Sequence, residues 1–137
     1  QTVMFRYFNV YGEGCHKSGQ YAPVMSIFKR QKDNKEPLTV VEPGYQTRDF
    51  VHVSDVVYAN ILATQRDLEE YGQVFNIGTG EGIEIQTIAD LISDYQITIP
   101  QRSGEVMHST ANIDKVKDIL GWKWSVKVIE WVKKNLK

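Results

Sequence analysis

The sequence is poor in cysteine and histidine, and this scarcity excludes several kinds of protein. Cys15 is the only cysteine among 137 residues, so the chain forms no intrachain disulfide and fits a reducing compartment. The histidines (His16, His52 and His108) lack the spacing of metal ligands, and Cys15 with His16 is too isolated to indicate zinc. We therefore expect no metal site, and no nucleophilic role for Cys15, whose one neighbouring base is His16.

Long apolar runs and excess charge are also absent. No apolar stretch approaches the roughly 20 residues that a membrane-spanning helix needs, and the first residues show no signal-peptide pattern. The formal net charge of −1 gives no indication of a nucleic-acid or anionic-membrane partner. With 42% hydrophobic and 24% charged residues, the composition is that of an ordinary globular protein. We expect a cytoplasmic protein with a single domain over residues 1–137.

The sequence does contain a succession of short apolar runs and amphipathic stretches. Strand-like runs cover residues 2–8, 38–41, 74–77 and 97–99, and a loop is predicted over residues 9–20. Helical spacing follows Pro23, Asp55 and Ile85, and two more helices are predicted near the end, capped by Asp114 and Ser125. Gly121 is predicted to stop the first of these two. The pattern is mixed α/β.

The segment QTRDFVHVSDVV, residues 46–57, is the centre of this pattern. It predicts a buried strand that runs straight into a helix capped by Ser54, with Arg48 and Asp49 at the strand's entrance. An arginine there offers a rigid fork of donors suited to phosphate or carboxylate. The alternative is an Arg48–Asp49 surface pair, or an arginine that solvates the strand end.

Four motifs occur in the order found in one enzyme family. They are RYFNVYG (residues 6–12), TRDFVHVSDVV (47–57), NIGTG (76–80), and a last stretch that runs from RSGEV through DK to LGW (102–122). They resemble extended short-chain dehydrogenase/reductases that act on nucleotide sugars, namely epimerases, dehydratases and decarboxylases. The resemblance covers nearly the whole chain and is specific to the family rather than to one substrate.

The resemblance implies that the chain is the C-terminal, substrate-binding part of such an enzyme, an α/β fold of short strands and several helices that lacks most of the Rossmann domain. Residues 1–8 would be the last strand of the Rossmann sheet, and a chain that opens inside a strand suggests a fragment. Without its sheet neighbours, this orphaned strand is expected to pair with another copy, giving a homo-oligomer.

The machinery for hydride transfer is missing from the sequence. A complete member of the family needs a glycine-rich fingerprint for NAD and a catalytic Tyr-x-x-x-Lys. No tyrosine here is followed by lysine four positions later, and Ile83 stands where a third glycine would complete a fingerprint starting at Gly78. The Gly78–Gly82 segment is therefore interpreted as a turn. We expect no catalytic or cofactor-binding residue in this chain, NAD being held by the missing Rossmann half.

The chain retains candidates for holding a nucleotide-sugar substrate. By resemblance, Asn9 hydrogen-bonds the phosphate region, and Arg48 and Arg102 together clamp the diphosphate. Glu105 stands where relatives carry an acidic residue that accepts from the ribose hydroxyls. Without the resemblance, Asn9 is equally a turn former, Arg102 a solvated loop arginine and Glu105 an exposed loop acid.

Further candidates are expected next to the base of the nucleotide and in the segment that covers the nucleotide. Thr39 and Val41 lie in a segment that lines the base pocket in relatives, although Val41 replaces the aromatic ring often found there. Tyr21 and Val24 lie on the segment that covers the nucleotide in relatives; by periodicity alone they are equally core or helix-start residues.

The predicted function is substrate binding within an NAD-dependent sugar-nucleotide epimerase similar to UDP-glucose 4-epimerases, with the chain inactive alone. A dehydratase or an ADP-heptose-type 6-epimerase is the alternative reaction, the latter because of Gly14-Cys15-His16-Lys17. Two alternatives outside catalysis remain, a free-standing nucleotide-binding module and an assembly domain without a pocket.

Overall fold

The computed structural model describes residues 2–15, 22–101 and 103–137. The strands are β1 (Val3–Tyr7), β2 (Val10–Tyr11), β3 (Leu38–Val41), β4 (Thr47–Arg48), β5 (Val51–His52), β6 (Gln73–Ile77), β7 (Ile83–Glu84), β8 (Gln96–Ile99) and β9 (His108–Ser109). The helices are α1 (Val24–Asp33), α2 (Val53–Gln65), α3 (Ile85–Ile92), α4 (Asp114–Leu120) and α5 (Val128–Asn135). The fold is α/β, as the sequence predicts.

The strands form small sheets in which parallel pairing dominates. β1 pairs with β6 from Val3–Gln73 to Tyr7–Ile77, β3 pairs with β8, and β2 pairs with β5, all in parallel. β4 lies between β7, which is antiparallel, and β9, which is parallel. Parallel pairs require crossover connections, and helices supply most of them here.

Two clusters of apolar side chains hold the sheets and helices together. Helix α3 packs against α1, α5 and β3, and the buried side chains between them include Phe28, Leu38 and Ile88. In the second cluster α4 packs on β6 and α2, with Phe75 and Trp122 fully buried. Hydrophobic burial on this scale is the main favourable term in folding. No helix within residues 2–15, 22–101 and 103–137 combines the length and apolarity that crossing a bilayer demands.

The predicted strands and helices are largely confirmed. The runs at 2–8, 38–41, 74–77 and 97–99 correspond to β1, β3, β6 and β8, and the helix predicted from Ile85 is α3. Gly121 ends α4 in the left-handed conformation, with φ of 67°. Within the predicted loop 9–20, two residues form β2; residues 16–21 lie outside the described residues.

Helix caps are where local prediction fails. The cap of α2 is His52 rather than Ser54, because the His52 Nδ1 accepts a hydrogen bond from the Ser54 backbone N–H at 3.2 Å. Asp114 lies in the first turn of α4, after the cap. Ser125 precedes α5 by three residues, and its hydroxyl instead donates to Asp55 Oδ1 at 2.8 Å. At Ser125, a tertiary partner thus replaces the local N–H group that such a side chain binds at a helix start.

The predicted single strand before α2 is two short strands in different sheets. β4 ends at Arg48 and β5 begins at Val51, so the chain passes from one sheet to the other through Asp49 and Phe50. The alternative of an Arg48–Asp49 pair is wrong, since Asp49 is fully buried and its carboxylate accepts from other backbone groups.

The expectation of an orphaned first strand is also wrong. β1 has β6 as a parallel neighbour along its whole length. Its other edge has no strand beside it among residues 2–15, 22–101 and 103–137. Met4 and Tyr7 are 47% and 49% exposed on this strand, so β1 is an edge strand with apolar side chains in solvent.

Candidate functional site

A cavity of about 350 Å³ opens where α1 begins, beside the ends of β3 and β4. Its lining is mainly apolar with a few convergent polar groups, which is typical of a small-molecule site. The described lining residues are Asn9, Val10, Tyr11, Ala22, Pro23, Val24, Met25, Ile27, Phe28, Thr39, Val41, Gln46, Arg48, Phe50, Ile85 and Glu105.

Six of the eight predicted substrate-binding residues lie on this one cavity. They are Asn9, Val24, Thr39, Val41, Arg48 and Glu105. The other two, Tyr21 and Arg102, lie outside the described residues. The fold therefore brings together positions from five separate segments, although their roles toward a ligand stay predictions.

Strand alternation explains why Thr39 and Val41 face the cavity. Leu38 and Val40 are buried in the first apolar cluster, and in a strand successive side chains point to opposite faces. Thr39 is fixed by Gln31, whose Nε2 donates to the Thr39 hydroxyl at 2.9 Å while its Oε1 accepts from the Thr39 N–H at 3.2 Å.

The same alternation identifies Gln46, which the sequence reasoning missed. Gln46 and Arg48 are two residues apart and both line the cavity, whereas Thr47 lies between them and its hydroxyl contacts His108 Nδ1 at 3.1 Å. Gln46 is buried, and its Nε2 donates to the Val41 carbonyl at 3.0 Å. The signal for this residue was its i, i+2 relation to Arg48.

Arg48 and Glu105 form an ion pair in the cavity wall. Arg48 Nη2 donates to Glu105 Oε1 at 2.5 Å, and Arg48 Nη1 donates to the Thr47 carbonyl at 2.9 Å. Their side chains are only 17% and 18% exposed. A guanidinium held in this way is oriented by the protein, and it suits bidentate recognition of phosphate or carboxylate.

Asn9 lies between β1 and β2, and a hydrogen bond fixes the orientation of its side-chain amide. Its Nδ2 donates to the Asp49 carbonyl at 2.9 Å, while its own backbone carbonyl accepts from the Val51 N–H at 3.2 Å. This assigns the amide nitrogen to the protein and presents the side-chain carbonyl as an acceptor.

Asp49 is the support of the site that sequence reasoning did not identify. Its carboxylate accepts from the Thr79 N–H and hydroxyl, both at 2.7 Å, from the Gly80 N–H at 2.9 Å, and from the Ala111 N–H at 3.1 Å. Gly78 permits this approach, because a Cβ there would lie 2.7 Å from the Asp49 Oδ2. The NIGTG motif thus forms a turn around a buried carboxylate, which fixes the chain next to Arg48.

A second buried carboxylate ties the end of the chain to α2. Asp55 accepts from the Ser125 and Val126 N–H groups, each at 3.1 Å, and its backbone carbonyl accepts from Trp122 Nε1 at 2.9 Å. The side chain of Trp122 is fully buried in the second apolar cluster, so it packs there as well as donating to Asp55.

Tyr11 lines the cavity, but its phenol is not suited to act as a general base. Burial, followed by the negative charges of Asp55 and Glu13, raises the pKa of Tyr11 above its usual value. Its hydroxyl donates to the Val126 carbonyl at 3.2 Å, so the phenol stays protonated near neutral pH. The part of the chain that the structure describes holds no cluster of three or more His, Cys, Asp or Glu side chains suited to a metal ion.

Comparison with known proteins gives one consistent family. A model described as the NAD dependent epimerase/dehydratase family matches residues 1–78. The dTDP-L-rhamnose 4-epimerase of Burkholderia thailandensis is 32% identical over 90% of this chain and 36% of that protein. The UDP-N-acetyl-alpha-D-glucosaminuronate decarboxylase of Bacillus cytotoxicus is 36% identical over 78% of this chain and 31% of that protein.

A solved structure gives the same result. The UDP-glucose 4-epimerase of Thermotoga maritima, determined with UDP-glucose, has a TM-score of 0.87 and 34% identity over 98% of this chain and 44% of that one. The chain therefore spans less than half the length of each of these relatives. The family resemblance drawn from the four motifs is confirmed.

Proposed function

Since the chain belongs to the NAD dependent epimerase/dehydratase family, we propose that it provides the nucleotide-sugar binding part of an NAD-dependent sugar-nucleotide epimerase similar to UDP-glucose 4-epimerases. The observation that carries the proposal is the convergence of Asn9, Val24, Thr39, Arg48 and Glu105 on one cavity. These positions span 97 residues of sequence, and the packing of independent elements is what brings them together.

The cavity suits a ligand with an anionic centre and a polar sugar. Arg48 binds a phosphate of the substrate, and Asn9 accepts from a neighbouring donor group. Glu105 accepts from ribose hydroxyls, while Val24, Thr39 and Val41 form the wall near the base. Val41 offers no ring for stacking, so contact with the base is aliphatic.

Chemistry on the sugar belongs to a portion of the parent protein outside this sequence. In a complete enzyme, bound NAD would supply reversible hydride transfer at the sugar. This chain has neither a Tyr-x-x-x-Lys nor a complete glycine fingerprint. Its contribution is to bind and orient the substrate, and we expect the chain alone to be inactive.

The open edge of β1 is the proposed contact with that remaining portion. Helix α2, whose Asn60 donates to the Tyr7 hydroxyl at 3.0 Å, exposes Val57 and Ile61, which are 52% and 45% exposed. A parallel sheet is normally covered on both faces, so this apolar surface and the unpaired strand edge favour further strands and a helix there. In isolation, the same edge favours pairing of two copies. Sedimentation that gives a monomer at all concentrations would refute pairing.

Isothermal titration calorimetry with UDP-glucose, dTDP-glucose and ADP-heptose tests the binding function. The proposal predicts measurable heat and a saturable isotherm with at least one of the three. The alternative function is a nucleotide-binding module without catalysis, and the missing hydride-transfer motifs favour it. Such a module would bind the same ligands, but its parent protein would not epimerise them. Absence of binding to all three ligands would leave only an assembly role.

A further inference from the structure

A second cavity, of about 260 Å³, lies between the loop after β2, the start of α1 and the end of α5. Tyr11, Pro23 and Met25 form the wall that it shares with the first cavity, since these side chains line both. Trp131 and Leu136 add to a lining that is mainly apolar. None of the described residues assigned to the nucleotide sugar lines this second cavity, so it is a separate place for a ligand.

The charge at this cavity comes from Glu13. A backbone hydrogen bond and one from Trp131 lower the pKa of the Glu13 carboxyl, which is therefore ionised at neutral pH. Lys29 is the other charged side chain of the described lining, and its ammonium is paired with Asp33 at 2.8 Å along α1. A carboxylate beside a mainly apolar wall suits a ligand with an apolar body and a cationic end.

The Glu13 carboxylate is held in place by two rings and is still accessible. Trp131 Nε1 donates to Glu13 Oε1 at 3.2 Å, and His52 Nε2 lies 3.4 Å from Glu13 Oε2. His52 Nδ1 accepts from the Ser54 N–H, so a neutral imidazole carries its proton on Nε2, the nitrogen nearer Glu13. An ionised carboxylate has about four acceptor positions. Since the Glu13 side chain is 71% exposed, a position remains for a donor from a ligand.

We propose that the second cavity binds a small primary amine, whose ammonium group contacts Glu13 and whose apolar body lies against Trp131, Met25 and Leu136. The ammonium donates a charge-assisted hydrogen bond to the carboxylate, and burial of the apolar body supplies the rest of the affinity. At about 260 Å³ the cavity is smaller than the roughly 300–1,000 Å³ typical of sites for drug-sized ligands, so the amine is smaller than a nucleotide sugar. This inference does not depend on the proposed function.

Titration of the isotopically labelled 137-residue chain, followed by chemical shifts, tests the proposal with three probes of similar size. The probes are 2-phenylethylammonium, 2-phenylethanol and phenylacetate, which are cationic, neutral and anionic at neutral pH. The ammonium is expected to give saturable shifts at the Gly12 and Ser26 amides and at the Trp131 indole N–H, with weaker binding of the alcohol and none of phenylacetate. In Glu13→Gln, affinity for the ammonium should fall roughly three- to fivefold, the scale of an exposed ion pair, while affinity for the alcohol stays the same.

Glu130→Gln is the matched control, since the Glu130 side chain is 74% exposed, precedes Trp131 on α5 and does not line the cavity. It should leave the affinity for the ammonium unchanged, and thermal unfolding verifies that each variant folds. The proposal is refuted if the alcohol or phenylacetate binds wild type as tightly as the ammonium, or if Glu13→Gln binds the ammonium like wild type. Shifts at Asn9 and Thr39 in place of those at Trp131 would assign the amine to the first cavity and also refute it. So would the absence of saturable shifts at millimolar ammonium.

Discussion

Replacing Arg48 with alanine removes the one described cation of the cavity and leaves Glu105 without its partner. Both side chains are more than four-fifths buried, so the loss is larger than for a surface ion pair. Truncating one member of a hydrogen-bonded, desolvated charge pair costs roughly 2–4 kcal/mol of binding free energy. That corresponds to about a 30- to 1,000-fold rise in the Kd for a nucleotide sugar.

Part of this loss comes from the unpaired Glu105 rather than from the missing phosphate contact. The double variant Arg48→Ala/Glu105→Gln separates the two contributions, because it removes the guanidinium without stranding a carboxylate. Its Kd is expected to lie between those of wild type and Arg48→Ala. Affinities measured by calorimetry with UDP-glucose, together with thermal unfolding, give both binding and folding for each variant.

The control for Arg48→Ala is Arg66→Ala, a change at an exposed arginine just after α2 and away from the cavity. It should leave the Kd within about twofold of wild type, as expected for a surface position. Equal affinity of wild type and Arg48→Ala for UDP-glucose, with both proteins folded, would refute the reasoning that Arg48 binds the phosphates.

Three further changes test the supports of the site. Asp49→Asn replaces the acceptor of the Thr79, Gly80 and Ala111 N–H groups. We expect the free energy of unfolding, measured by urea titration, to fall by roughly 2–4 kcal/mol. The control Asp94→Asn, at an exposed site, should change this free energy little. Gly78→Ala places a Cβ 2.7 Å from Asp49 Oδ2 and Ala111 Cβ. We expect the free energy of unfolding to fall by about 1–3 kcal/mol in the same titration. A variant as stable as wild type would contradict the close approach. The pKa of Glu13 is lowered by a backbone hydrogen bond and by one from Trp131. Its stabilising effect is therefore present above the ordinary value of 4.5 and is lost as pH falls through the lower folded pKa. In Glu13→Gln, the midpoint of thermal unfolding should fall less than that of wild type as pH decreases below 4.5, and an unchanged pH profile would count against this.

The secondary structure was largely predictable because it follows local periodicity. β3 alternates Leu38 and Val40 inward, and α3 places Ile85, Ile88 and Ile92 on one buried side. The caps were not predictable in the same way. Ser125 has the chemistry of a cap, yet its partner is Asp55, a residue 70 positions away. Where a side chain can hydrogen-bond to either a local or a distant partner, the tertiary structure determines which of the two it binds.

The candidate site was predictable as a set of residues but not as an arrangement. The motifs predict Arg48 and Glu105 as ligand contacts, and nothing in their 57-residue separation indicates that they contact each other. Asp49 was interpreted through its neighbour Arg48, whereas its partners come from two later segments of the chain. Hydrogen bonds that close long loops have no local sequence signal, since either partner alone is compatible with solvent exposure.

The central claim is that residues far apart in sequence form one nucleotide-sugar site. A titration of the isotopically labelled chain with UDP-glucose, followed by backbone amide chemical shifts, tests it most directly. The account predicts that the largest shift changes fall together on Asn9, Thr39, Arg48 and Glu105, with one shared affinity. Changes confined to the surface around Trp131, or shifts at Arg48 without any at Asn9 and Thr39, would contradict it.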